Sequence, residues 1–228
     1  MNPFQFLRLL IKGPTPQQLA AQLRKPHGFM ARKLGERMND ANRTLYEAAW
    51  KPLDLRDDMH VLEIGFGNGN FFNALTAMAK NPNLYGLDFS EKMVAEATAR
   101  NKELIARGSL RLFHGASDAM PFPEALFDRI FCINVIYFWD DPAAHLREVR
   151  RVLKPGGTFT AVLRTGSTLE KMNFTPFGFA KYEKADWEGV LRSNGFVPTS
   201  TVVLNEGTMQ FEGTEFTSES LVMTAVRE

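Results

Sequence analysis

The run Val61-Leu62-Glu63-Ile64-Gly65-Phe66-Gly67-Asn68-Gly69-Asn70 constrains this chain more than any other stretch. It reads as a buried strand entering a glycine-rich turn that opens a helix. A second short strand, Leu84 to Leu87, follows and ends in Asp88. A strand, a glycine turn, a helix and a second strand ending in a carboxylate form the layout of a nucleoside-binding α/β site. Glycines let the backbone turn tightly and lie against a ligand, and the carboxylate accepts from ribose hydroxyls. The dinucleotide fingerprint would need glycine at position 70, where Asn70 stands. No Lys or Arg occurs between Val61 and Met78, so nothing basic awaits a pyrophosphate. The expected ligand is a nucleoside without phosphates.

The rest of the chain alternates strand and helix patterns, which predicts a doubly wound sheet. After Pro14 and Pro16 a short helix runs through Leu23, and Pro26-His27-Gly28 breaks it. A longer helix is expected from Phe29 to about Trp50, on the spacing of Phe29, Met30, Leu34, Met38, Leu45 and Trp50. Strands begin at Met59, Leu84, Leu110, Ile130 and Thr158. Helices are expected from Asn70 to Lys80, from a Ser90 N-cap to Arg107, from Asp140 or Asp141 to Leu153, and from Lys184 to Ser193. Two β segments, Phe196 to Leu204 and Ser220 to Val226, close the chain.

A chain of 228 residues with 44% hydrophobic residues suits one α/β domain with a terminal extension. The expected division is a helical extension over 1–56 that caps the site, and a catalytic domain over 57–228. The lone cysteine, Cys132, falls in an apolar strand pattern and reads as a core residue in a reducing, cytoplasmic setting. A net charge of +1 argues against a nucleic-acid partner. Met1 to Ile11 is short, carries Arg8 and lacks a small-residue cleavage site, so it is not read as a signal peptide. No stable membrane insertion is expected. The four histidines and Cys132 make no metal-ligand spacing, so no metal is expected.

The glycine turn after Glu63, followed by Asp88, resembles class I S-adenosylmethionine-dependent methyltransferases. Three later segments resemble the same family in the same order: Gly115 to Pro123, Phe127 to Asn134, and Arg151-Val152-Leu153-Lys154-Pro155-Gly156-Gly157. Met38-Asn39-Asp40 is locally similar to quinone-biosynthesis C-methyltransferases. The resemblance implies a Rossmann-like, mostly parallel seven-stranded sheet with helices on both faces and the last strand antiparallel. It implies S-adenosylmethionine as cofactor, leaving as S-adenosylhomocysteine. It places Gly65, Gly67 and Gly69 against the ligand, with the helix near Asn70 facing its carboxylate tail. Glu63 would hold the ammonium and Asp88 the ribose. Asp118 would take the adenine amino group, within a segment including Ser117, under Phe89, Met93 and Ala119. Asn134 would stand beside the methyl-transfer position.

Methyl transfer needs positioning and a dry pocket, and a base only when the acceptor must lose a proton. Candidate bases are His114, Tyr137 and Tyr182, then Glu170 and His27, while His145 and His60 read as surface residues. Tyr137-Phe138-Trp139 and the aromatic stretch Met172 to Tyr182 suggest a lid over a small apolar or aromatic acceptor. A nucleic-acid or protein methyltransferase, a dehydrogenase and a non-catalytic cofactor binder are the competing readings. After Asn134 comes Val135 rather than the proline of amine-methylating nucleic-acid enzymes. A monomer or homodimer is expected.

Overall fold

The computed structural model describes residues 14–28, 31–211 and 213–228. The Met1–Ile11 segment and the expected helix start at Phe29 lie outside the described residues. Seven strands form one sheet: β1 (His60–Ile64), β2 (Asn83–Asp88), β3 (Leu110–His114), β4 (Phe127–Ile133), β5 (Leu153–Arg164), β6 (Phe196–Phe211) and β7 (Thr214–Arg227). Their order is β3-β2-β1-β4-β5-β7-β6. The first five are parallel, and β7 enters antiparallel between β5 and β6. The order reverses between β1 and β4, which opens a crevice beyond their carboxyl ends.

Strand β4 is buried on both faces, and its alternate residues feed different cores. Ile130 and Cys132 pack with α6 (Pro142–Val152) and α7 (Lys184–Ser193) through Leu146, Val149, Trp187 and Leu191. Phe131 and Ile133 pack on the other face with Leu45, Ala49 and Leu53 of α2 (Ala31–Leu53), and with Ala97 and Leu104. The latter two lie in α4 (Glu91–Arg100) and α5 (Lys102–Ala106), two pieces of one expected helix that breaks at Asn101. Asn101 is buried, and its amide donates to Gly69 O and Ala97 O at 2.9 Å, so it serves the glycine turn as well as its own helix.

Other expectations shift. The helix after the glycine turn, α3, covers only Phe72–Thr76, so it neither starts at Asn70 nor offers a long dipole. Strand β5 starts at Leu153, because the expected Lys154–Gly157 turn is instead a register shift against β4. The final hairpin is much longer than expected. The expected strand ends at Leu204, but Asn205-Glu206-Gly207 forms a bulge opposite β7, and pairing continues to Phe211↔Thr214.

The extended hairpin end meets α1 (Pro16–Arg24), whose start is fixed by a reciprocal Thr15–Gln18 capping box. Ala20, Met172, Phe174 and Phe216 form a third apolar cluster there, with Leu19, Leu23, Phe179, Met209 and Phe211 against it. It roofs the carboxyl end of the sheet. No described helix is long and apolar enough to cross a membrane.

Candidate functional site

The glycine turn rises from β1 because Gly65 N donates to Leu87 O at 2.8 Å, continuing the β1–β2 ladder past the strand end. Two of its glycines have different reasons to be glycine. Gly67 has φ +58°, and a Cβ there would meet nothing within 4 Å, because it faces open space. Gly69 has φ +66°, but its Cβ would fall 2.7 Å from the Ala97 Cβ and 2.8 Å from the Asn101 amide. Gly65 and Gly67 line a cavity of about 230 Å³, whereas Gly69 packs against α4 and does not.

Asp88 stands at the end of β2 in the cavity wall, buried. Its carboxylate accepts from Gly67 N at 2.9 Å and from Ser90 N at 2.8 Å, so it clamps the glycine turn to the start of α4. Burial pushes its pKa up to about 6, against the pull of those two N–H donors. Each carboxylate oxygen accepts more than one bond, so lone pairs remain for a ligand. Phe89, Met93, Ser117 and Asp118 line the same cavity, and Ala119 lies outside its walls. The Ser117 hydroxyl is 2.8 Å from His145 Nδ1, and that imidazole stacks on Trp139 at 4.7 Å and 6°. His145 is therefore a wall residue and not the surface residue expected. Desolvation holds its pKa below the ordinary imidazole value.

Glu63 is buried, and the cavity wall in front of it is formed by Tyr46 of α2, whose hydroxyl donates to Glu63 Oε1 at 2.6 Å. Tyr46 also stacks on Phe71 at 3.7 Å. Burial pushes Glu63 up to about 8, the Tyr46 bond opposing it. Glu63 thus bonds to a helix of the roof rather than facing the cavity openly.

The buried positions of α2 fall at Ala31 and Gly35 and again from Leu45 to Leu53. Met38, Asn39 and Asn42 between them line the cavity, together with Gly35. Across the mouth, Arg24 of α1 pairs with Asp140 at 2.6 Å, Ser90 Oγ donates to Pro26 O at 2.8 Å, and Lys25 lies 5.3 Å from the Phe89 ring.

A second chamber of about 130 Å³ shares Leu23, Met38, Asn42, Asn134 and Phe138 with the first. Beyond that common wall it is lined by Ala41, Tyr137, Arg164, Leu169, Met172, Phe174 and Phe179. Asn134 sits at the partition with φ +57°, a left-handed conformation that asparagine tolerates better than most residues. Its Oδ1 accepts from the Tyr137 hydroxyl at 2.9 Å, and its Nδ2 donates to Asn42 Oδ1 at 3.0 Å. The Tyr137 oxygen in turn accepts from Arg164 N. Burial pushes the Tyr137 phenol far up, so it stays protonated as a donor. The Arg164 guanidinium is held by Glu206, the bulge residue of β6, at 2.8 Å, and Ser218 and Ser220 donate to the same carboxylate.

The other base candidates lie elsewhere. His114 is exposed, with Nε2 3.1 Å from Phe89 O, and Tyr182 packs on Trp187 at 5.2 Å. Neither lines a chamber, nor do Glu170 and His27. Within the expected lid Phe177 points outward, 45% exposed. Among the described residues no His, Cys, Asp and Glu group could hold a metal.

The first cavity has features that suit S-adenosylmethionine. Gly67 opens its backbone to the space, and Asp88 presents a buried carboxylate there. Two buried donors in the wall, Asn68 Nδ2 and Trp139 Nε1, have no partner among the described residues. When bound, that group supplies a methyl already activated on a sulfonium.

Comparison with known proteins agrees. A methyltransferase domain model matches residues 62–161. The Bacillus subtilis protein designated methyltransferase YrhH is 28% identical over 135 residues, 59% of this chain and 74% of its own length. The Arabidopsis thaliana 2-methyl-6-phytyl-1,4-hydroquinone methyltransferase is 34% identical over 110 residues, but these are 48% of this chain and only 31% of the plant protein. Geranyl diphosphate C-methyltransferase from Streptomyces coelicolor, solved with S-adenosylhomocysteine, superposes with a TM-score of 0.69 at 15% identity. That superposition covers 91% of this chain and 89% of that one, and it speaks for the fold alone.

Proposed function

We propose that this chain, which carries a methyltransferase domain over residues 62–161, is a class I S-adenosylmethionine-dependent methyltransferase acting on a small, largely apolar or aromatic acceptor. The observation that carries this reading is the second chamber, which abuts the first through Asn42, Asn134 and Phe138. Apart from Asn42, Asn134, Tyr137 and Arg164, its walls are Leu23, Met38, Ala41, Phe138, Leu169, Met172, Phe174 and Phe179. Apolar walls with few convergent polar groups suit such ligands.

On this reading the cofactor fills the first cavity. Asp88 accepts from the ribose hydroxyls while keeping the glycine turn in place. Phe89 and Met93 cover the adenine, and Asp118 takes its amino group. Within the extension α1 and α2 act as the cap, since Leu23, Arg24, Met38 and Asn42 belong to both roof and wall. The protein's share of catalysis is to align the acceptor with the methyl group and to exclude water. The phytyl-hydroquinone substrate in the plant relative's name is apolar and aromatic, which supports the acceptor class without naming the acceptor.

Incubation with radiolabelled S-adenosylmethionine and a cell extract, separated into small-molecule, protein and nucleic-acid fractions, tests the proposal. Label is expected in the organic-soluble small molecules. Transfer confined to protein, tRNA or DNA would overturn it. Leu169→Arg, which places a charge in the second chamber, should abolish transfer while S-adenosylhomocysteine still binds.

A further inference from the structure

The hydrogen-bond chain through the partition has a fixed direction. Arg164 N is a backbone donor, so the Tyr137 oxygen accepts and its proton is left for Asn134 Oδ1. The Asn134 amide then has only its NH2 to offer Asn42, and Asn42 receives it on Oδ1. The Asn42 NH2 therefore lies on the other side of its amide, and it donates to no partner among the described residues. Asn42 is partly buried and lines both chambers. A peptide N–H at the far end of the chain has set which polar atom the partition shows to a ligand.

We infer that Asn42 is a specificity-determining residue whose amide N–H donates to an oxygen of the methyl acceptor. The substrate class narrows to apolar or aromatic molecules that carry a carbonyl, phenol or ether oxygen beside the methylated position. This inference rests on the proposed acceptor chamber. A ligand that displaces water from this donor without offering an acceptor atom leaves it unsatisfied, so the donor favours an oxygen-bearing acceptor. The orientation of Asn42 depends on Asn134, which holds its own only while Tyr137 and the end of β5 stay in register.

The test uses protein saturated with S-adenosylhomocysteine and two near-isosteric probes, 2-acetylnaphthalene and 2-isopropenylnaphthalene, titrated by calorimetry. Only the first offers an oxygen. Asn42→Asp keeps an oxygen for Asn134 Nδ2 and removes the donor, and Asn42→Ala removes both. The ratio of ketone to alkene affinity should fall roughly fivefold in both variants, the size of one net hydrogen bond. An unchanged ratio in both variants would overturn the role of Asn42 and leave the chamber standing. If neither probe binds the wild type while S-adenosylhomocysteine does, the acceptor chamber itself is wrong, and the inference falls with it.

Discussion

The floor and the roof of the cavity are held on different terms. The floor is the glycine turn, Asp88 and the ends of β1, β2 and β4. It continues the sheet ladder through Gly65 N to Leu87 O, and it is clamped by Asp88 and Asn101. The roof is α1, the middle of α2, the Met172–Phe179 stretch and the hairpin end. Its apolar cluster has four buried members, against the two large cores beneath the sheet ends. Its ties to the floor at the mouth are few, Arg24 to Asp140 and Ser90 to Pro26. Local opening follows the number of buried contacts, so the roof should open to admit ligands while the floor stays formed.

The largest test of this contrast is Gly69→Ala. The added Cβ would meet Ala97 and Asn101 below 3 Å at a left-handed φ. Overpacking and backbone strain together should cost about 2–4 kcal/mol of global stability, read by urea denaturation. A cost near zero would mean that the floor is as pliable as the roof.

Asp88→Ala should come next, weakening S-adenosylhomocysteine binding by about 1–3 kcal/mol in calorimetry. Loss of the clamp on Gly67 contributes to this as well as any lost contact to the ligand. Wild-type affinity in the variant would remove Asp88 from the ribose role.

Glu63 and Tyr46 join floor to roof, and their pair gives a pH test. A carboxyl ordinarily near 4.5 is raised to about 8 in the fold. Between those values the folded state holds a proton that the unfolded state has released. The contribution to stability is therefore present below about pH 4.5 and is lost as pH rises through about 8. Glu63→Gln should flatten the decline in melting temperature over that window. Parallel curves for the two proteins would show that Glu63 is ionised in the ligand-free fold.

The smallest effect on stability belongs to Arg24→Gln. The pair with Asp140 is largely exposed on the Asp140 side, so the cost should stay within about 0.5 kcal/mol. The cofactor off-rate, measured by stopped-flow fluorescence, should nevertheless rise. An unchanged off-rate would mean that the pair is no latch.

The floor was legible in the sequence because each of its parts is local. A strand, three glycines and a carboxylate at the end of the next parallel strand define one another through short chain segments, and the parallel order follows from the alternation of strand and helix. The antiparallel last strand came from the family resemblance, and the burial of Cys132 from its apolar strand pattern. The roof was not legible, because its parts meet only after the sheet has formed. Arg24 finds Asp140 across 116 residues, and Asn42 finds Asn134 across 92. His145 looked like a surface residue until stacking on Trp139 brought it to the wall, and Tyr46 stood in a helix with no sign that Glu63 lay opposite. On the middle of α2 the inward face, Gly35, Met38, Asn39 and Asn42, keeps helical spacing but lines a cavity, so it carries no apolar stripe to mark it in the sequence. The bulge at Glu206 was hidden for a related reason. Asn-Glu-Gly has the composition of a turn, and only pairing with β7 and the waiting guanidinium of Arg164 keep the strand running through it. Local chemistry set the floor of the cavity, and long-range packing decided what covers it.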